Sequence, residues 1–214
     1  MIGLFVRQAG KLRLALLGAV LVSCVVACTS APSQATKVAN AHGVPTGYSE
    51  FQDKARGYSL ALPSAWTQIG IQSPDAAAIF NAAVKRDPKF ATEFGSIATM
   101  AKENMSLLAI GQSGENANMV VTGGSGTATS AQLAALYPTL ASSYARVGMD
   151  VKAHQMIKID GYPAIRVQIS LDFAGKQLLE TQFVLEVNSR AYILTVTEAP
   201  AVTASEIAST LRFQ

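Results

Sequence analysis

Ser113 in GQSGE, Ser125 in GGSGT and His154 in AHQMIK are the side chains whose types could assemble a hydrolytic site. A serine hydroxyl becomes a nucleophile only when a neighbouring base takes its proton. Neither serine completes a G-x-S-x-G elbow, because Glu115 and Thr127 stand where the second glycine belongs. His154 falls on a predicted strand, and the other histidine, His42, lies in a Ser/Thr/Ala-rich stretch near the start. A serine hydrolase therefore ranks third, and no catalytic residue is assigned. The stretch VVTGGSGTATSAQLAAL sets Gly123, Gly124 and Gly126 between a strand and a helix, the local order of a phosphate-cradling loop. A dinucleotide fingerprint needs a third glycine where Thr129 stands, and a P-loop needs a Lys-Ser/Thr pair that is absent. The loop is expected to be a flexible connection and a mobile lip. Asp150, Asp160 and Asp172 read as solvated carboxylates at strand ends. With no histidine pair at ligand spacing, no metal and no cofactor are expected.

Cys24 and Cys28 offer a different, covalent chemistry. Arg7, Lys11 and Arg13 precede an uncharged run from Leu14 to Ala27, a basic region followed by an apolar one. A bilayer-spanning helix needs ~20 apolar residues, and this run is shorter and ends without a basic flank. Leu21-Val22-Ser23-Cys24 and Val25-Val26-Ala27-Cys28 each resemble a lipobox, where a thiol takes up diacylglycerol before cleavage exposes it as the mature N-terminus. Leucine at position 21 favours Cys24. Cutting before Cys28 uses the whole apolar run and places TSAPSQATKVANAHG next to the lipid, a tether composition. Cys28 is the expected lipidation site and Cys24 the alternative. The expected organisation is a signal over 1–27, a tether over 28–45 and one domain over 46–214.

Cleavage also changes the charge balance. The chain has 17 Lys and Arg against 14 Asp and Glu. Loss of the three signal cations leaves these numbers equal, so no basic patch for nucleic acid is expected.

Periodicity supplies the elements that must position any site. Tyr58, Leu60 and Leu62 alternate as a strand stopped by Pro63, with Trp66 folding back over the core. Helices are expected after Ser73-Pro74 and Asp87-Pro88, the second carrying Ala91, Phe94, Ile97, Ala98 and Ala101 as one stripe. MSLLAIGQ and ANMVVTGG read as a hairpin, and a helix kinked at Pro138 spans about Ser130 to Val147. Four strands follow as a meander, VKAHQMIKI, YPAIRVQISLDF, KQLLETQFVLEV and AYILTVTEA, with turns at Asp160-Gly161, Ala174-Gly175 and Asn188-Ser189. Thr203 and Glu206 read as the capping box of a last helix. The fold class is α+β, an antiparallel β-sheet meander with helices packed on it.

YSLALPSAW, IDGYPAIRVQISL and AYILTVTEAP, followed by a terminal helix, together resemble the PsbP-like fold. With a lipobox and tether in front, the chain resembles the LpqN-type lipoproteins of actinobacteria over about Tyr58 to Phe213. That resemblance implies an α/β/α sandwich anchored on the outer face of the cytoplasmic membrane and engaged in cell-envelope upkeep. It implies an envelope glycolipid or an envelope protein as partner, and carries over no binding residue.

Two non-enzymatic functions lead. In one, helices and sheet enclose an apolar pocket for an envelope lipid or glycolipid, lined from the helical stripe residues Ile79, Phe80, Phe94, Leu136 and Tyr144. In the other, the domain has no pocket and docks on an envelope protein.

Overall fold

The computed structural model describes residues 44–173 and 176–214. Cys24, Cys28, His42, the signal and nearly all of the tether lie outside the described residues, as does the Ala174-Gly175 turn.

Two antiparallel sheets stack on each other. The large one has seven strands in the order β3 (Thr67–Gly70), β4 (Met105–Ile110), β5 (Asn116–Gly123), β9 (Arg190–Thr197), β8 (Lys176–Val187), β7 (Tyr162–Phe173) and β6 (Met149–Ile159). Both faces of its centre are covered. Leu107 and Leu108 are adjacent in β4 and fully buried, yet they belong to different core clusters on opposite faces. That double coverage explains why MSLLAI is continuously apolar rather than alternating. The edges are guarded instead. β3 is short, and β6 carries a bulge between Val151 and Ala153 together with the exposed Lys152 and Lys158, devices that discourage pairing with another chain.

One face is covered by helices. α1 (Ala76–Arg86), α2 (Lys89–Phe94) and α3 (Ile97–Lys102) gather over β3 and β4, and α4 (Ser130–Arg146) lies over β6 and β7. The opposite face is covered by the small sheet, β1 (Tyr48–Asp53), β2 (Tyr58–Pro63) and β10 (Arg212–Phe213), and by α5 (Ala201–Ser209). β2 is the middle strand, so Ser59 and Ala61 are buried along with Leu60. Thr210 Oγ1 accepts from Ala61 N–H at 2.9 Å across 149 residues of sequence and helps close that layer.

Several expectations need correction. The helix expected from Pro88 through Ala101 is two helices, because Gly95 takes φ 75° and Ser96 caps a new start, accepting from Thr99 N–H at 3.2 Å. Pro74 precedes α1 in a turn, and Asp75 is the N-cap. Thr203 and Glu206 form no capping box: α5 starts two residues earlier behind Pro200, so Thr203 lies inside it, and Glu206 accepts from Tyr48 Oη at 3.1 Å. The helix also stops at Ser209, leaving Arg212 and Phe213 to pair with β2. α4 runs as one element across Pro138 and carries a full capping box of Thr129 and Gln132.

Candidate functional site

The large sheet carries polar side chains in the middle of its helix-covered face. Along a strand, alternate residues face the same side. Val120, Ile193 and Val184 are register partners on β5, β9 and β8 and all lie in the core beneath the helices. Stepping two residues along each strand gives the row Asn118, Thr195, Gln182, and two more gives Asn116, Thr197, Glu180. Six polar residues thus form a grid of three strands by two rows, about 10 Å by 7 Å from sheet spacings.

Each helical group reaches one margin of this grid. From α2, Glu93 Oε1 accepts from Asn116 Nδ2 at 3.4 Å on β5. From α4, Tyr144 Oη donates to Gln182 Oε1 at 2.8 Å on β8. Between them lies β9, with Thr195 and Thr197, so the helix layer has a seam about two strand spacings wide. Burial, with Glu180 and Tyr137 nearby, pushes the Tyr144 hydroxyl well above the usual tyrosine range and holds it as a neutral donor. Two polar atoms in the grid have no partner. Asn116 is 2% exposed and Gln182 0%, yet Asn116 Oδ1 and Gln182 Nε2 make no hydrogen bond. Each orphan costs about 1–3 kcal/mol unless something reaches it.

The five residues expected to line an apolar pocket come together. Phe80, Phe94 and Tyr144 are buried in the core beneath the helices, and Ile79 and Leu136 pack against it partly exposed. They flank the seam from both helical groups. The open groove of about 430 Å³ lined by Arg166, Val202, Ser205, Glu206 and Ser209 lies on the other face and involves none of them.

The hydrolytic side chains are not brought together. Ser113 lies in the turn between β4 and β5 and Ser125 beyond the other end of β5. His154 is on the edge strand β6, four strand spacings or about 19 Å from β5. Its ring stacks on Tyr137, with centroids 3.6 Å apart and planes at 16°. Asp160 is tied into the fold rather than solvated: it accepts from Phe213 N–H at 3.0 Å and faces Arg212. Asp150 pairs with Lys152, and Asp172 is exposed. Among the described residues, no three His, Cys, Asp or Glu side chains gather where a metal could be held, and no helix is long and apolar enough to cross a membrane.

The glycine loop is already filled. Glu186 Oε1 accepts from the backbone N–H groups of Ser125 and Gly126, the latter at 3.0 Å, and from Ser125 Oγ at 3.2 Å. Gly124 N–H donates to the Ser189 carbonyl at 2.9 Å, and Ser189 N–H to the Gly126 carbonyl at 2.7 Å. The expected mobile lip is therefore sewn to the β8–β9 turn. Its N–H array serves an internal carboxylate.

No protein-family model matches the chain, and no curated protein matches it. Among solved structures it is similar to the cyanobacterial PsbP of Synechocystis sp. PCC 6803, at TM-score 0.49 and 11% identity over 83% of this chain and 99% of that one. It is similar to LpqN of Mycobacterium tuberculosis, described as involved in cell envelope biogenesis, at TM-score 0.44 and 12% identity over 81% of this chain and 87% of that one. A Bacteroides thetaiotaomicron structure is matched at TM-score 0.49 and 11% identity over 79% of this chain and 49% of that one, about half its length. At these identities the likenesses concern chain trace alone. The topology described above establishes the α+β class, an antiparallel sheet with helices packed on it.

Proposed function

We propose that this chain is an extracytoplasmic lipoprotein, held on the outer face of the cytoplasmic membrane by diacylglycerol on Cys28. Its domain binds an envelope lipid or glycolipid without catalysing a reaction, in support of cell-envelope upkeep. The observation that carries the binding reading is the pair of orphaned polar atoms, Asn116 Oδ1 and Gln182 Nε2, inside a seam flanked by Phe94 and Tyr144. Apolar flanks suit acyl chains, and a polar floor suits a head group. The lipobox and tether support the anchoring. They also place the domain where such lipids are within reach.

Native mass spectrometry of the full chain, purified from membranes of its own host, tests the reading. Solvent extraction removes non-covalent lipid and leaves a thioether-linked anchor in place. A removable mass of lipid size that returns on adding envelope extract is the expected result. A chain that is bare before extraction and stays bare afterwards would overturn it. A second reading, docking on an envelope protein, draws on Leu179 and Val202, which are 57% and 68% exposed at the opposite face.

A further inference from the structure

The proposed lipid site has a chemical preference written into its floor. The grid contains three side-chain amides, two hydroxyls and one carboxylate, and Glu93 adds a second carboxylate at its margin. No lysine or arginine stands in either row. An anionic head group entering the seam meets two carboxylates and finds no cation to offset its desolvation. The two orphans ask for opposite things: Asn116 Oδ1 needs a donor, and Gln182 Nε2 needs an acceptor. A phosphate monoester offers acceptors only once fully ionised, whereas a hydroxyl offers both.

From this we infer that Asn116 and Gln182 are the head-group-reading residues of the seam, and that they select an uncharged, hydroxyl-bearing amphiphile over a phosphate-bearing one of the same chain length. The inference rests on the reading of the seam as a lipid site and goes further in naming the atoms that discriminate. The two amides sit at diagonal corners of the grid, about 12 Å apart by strand spacings. A ligand that satisfies both must therefore lie along β9, over Thr195 and Thr197. Entry runs between α2 and α4, the two helices whose side chains mark the margins.

Two probes with eight-carbon chains separate the possibilities: 1-octanoylglycerol, with an uncharged head of two hydroxyls, and octyl phosphate. Each is titrated below its micelle-forming concentration into the full chain in nanodiscs. Binding is followed by the amide and aromatic resonances of the domain. The glycerol ester is expected to bind at least tenfold more tightly and to shift the side-chain amide signals of Asn116 and Gln182. Asn116→Leu removes the acceptor. Tyr144→Phe combined with Gln182→Met replaces a buried hydrogen-bonded pair by apolar groups of similar shape, which the fold tolerates better than losing one partner. Either change is expected to lower the affinity for the glycerol ester about tenfold and leave octyl phosphate unchanged. Equal binding of both probes to the parent overturns the selectivity and leaves the lipid reading standing. Preferential binding that survives both variants overturns the assignment of Asn116 and Gln182. If neither probe binds, both readings fall together.

Discussion

Glu186→Ala tests whether a carboxylate on one strand holds the loop that launches α4. The parent carboxylate takes three hydrogen bonds on one oxygen, two from backbone N–H groups and one from the Ser125 hydroxyl. Charge-assisted hydrogen bonds are worth about 1.5–3 kcal/mol each when buried. Ser125 is exposed and Gly126 half-buried, so water replaces much of the loss and about 1 kcal/mol per backbone donor remains, some 2 kcal/mol in all. For a domain of this size that lowers Tm by about 4–8 °C. Glu186→Gln keeps an acceptor without the charge and is expected to lose about half as much. Gly124→Ala reaches the same state from the other side, because a Cβ there would sit 2.5 Å from Glu186 Oε1 and 2.9 Å from its carboxyl carbon, forcing the side chain out. The double variant Gly124→Ala/Glu186→Ala should then lose little more than either single one, since both remove the same contacts. Thermal unfolding by circular dichroism measures all four. Strict additivity in the double variant, or a Glu186→Ala loss within about 1 °C of zero, would refute the account.

Burial raises the hydroxyl pKa of both Tyr58 and Tyr144 above the ordinary value of 10. The folded chain therefore keeps these protons at pH values where the unfolded chain has released them. The associated stability is complete below pH 10 and falls as pH rises from there toward the folded pKa values, by ~1.4 kcal/mol per pH unit for each tyrosine. Urea unfolding between pH 9 and 11.5 should show a combined slope near ~2.7 kcal/mol per unit at its steepest, roughly halved in Tyr144→Phe; a pH-independent midpoint would contradict the burial of both hydroxyls. At the other end of the chain, Cys28→Ala is expected to abolish incorporation of an alkyne-labelled fatty acid and Cys24→Ala to leave it intact. The reverse pattern would move the anchor to Cys24.

The parts of the fold legible in the sequence are those whose neighbours along the chain decide them. The meander and the hairpin follow from alternation and turn residues, and α4 from its apolar spacing. β1 and β3 escaped because YSEFQD has a single large apolar residue inside it and TQIG is too short to show a period. One helix was expected over residues 89–102 because apolar spacing continues through Gly95 and Ser96, whose backbone and capping roles outweigh it. The grid was missed for a different reason. Asn116 and Asn118, Thr195 and Thr197, and Glu180 and Gln182 are polar pairs two residues apart, the pattern of a strand with a wet face. Which face a helix will cover depends on the packing of α2 and α4, which no local window reports. Likewise, Glu186 meets Gly126 sixty residues away, and nothing near either residue announces the other.

The arrangement of β2 between β1 and β10 bears on how the chain acquires its shape. β1 and β2 are joined by a short turn and can pair as soon as they emerge, but the second partner of β2 comes last. Until Leu211 and Phe213 arrive, the layer containing Tyr58, Leu60 and Tyr192 has an open side. Contacts this distant in sequence cost loop entropy before they repay it, and they slow folding. A chain threaded through a membrane from its N-terminus would hold its early strands in waiting throughout transit. Final locking would be a late event, driven by the arrival of the α5–β10 segment rather than by any element near the anchor.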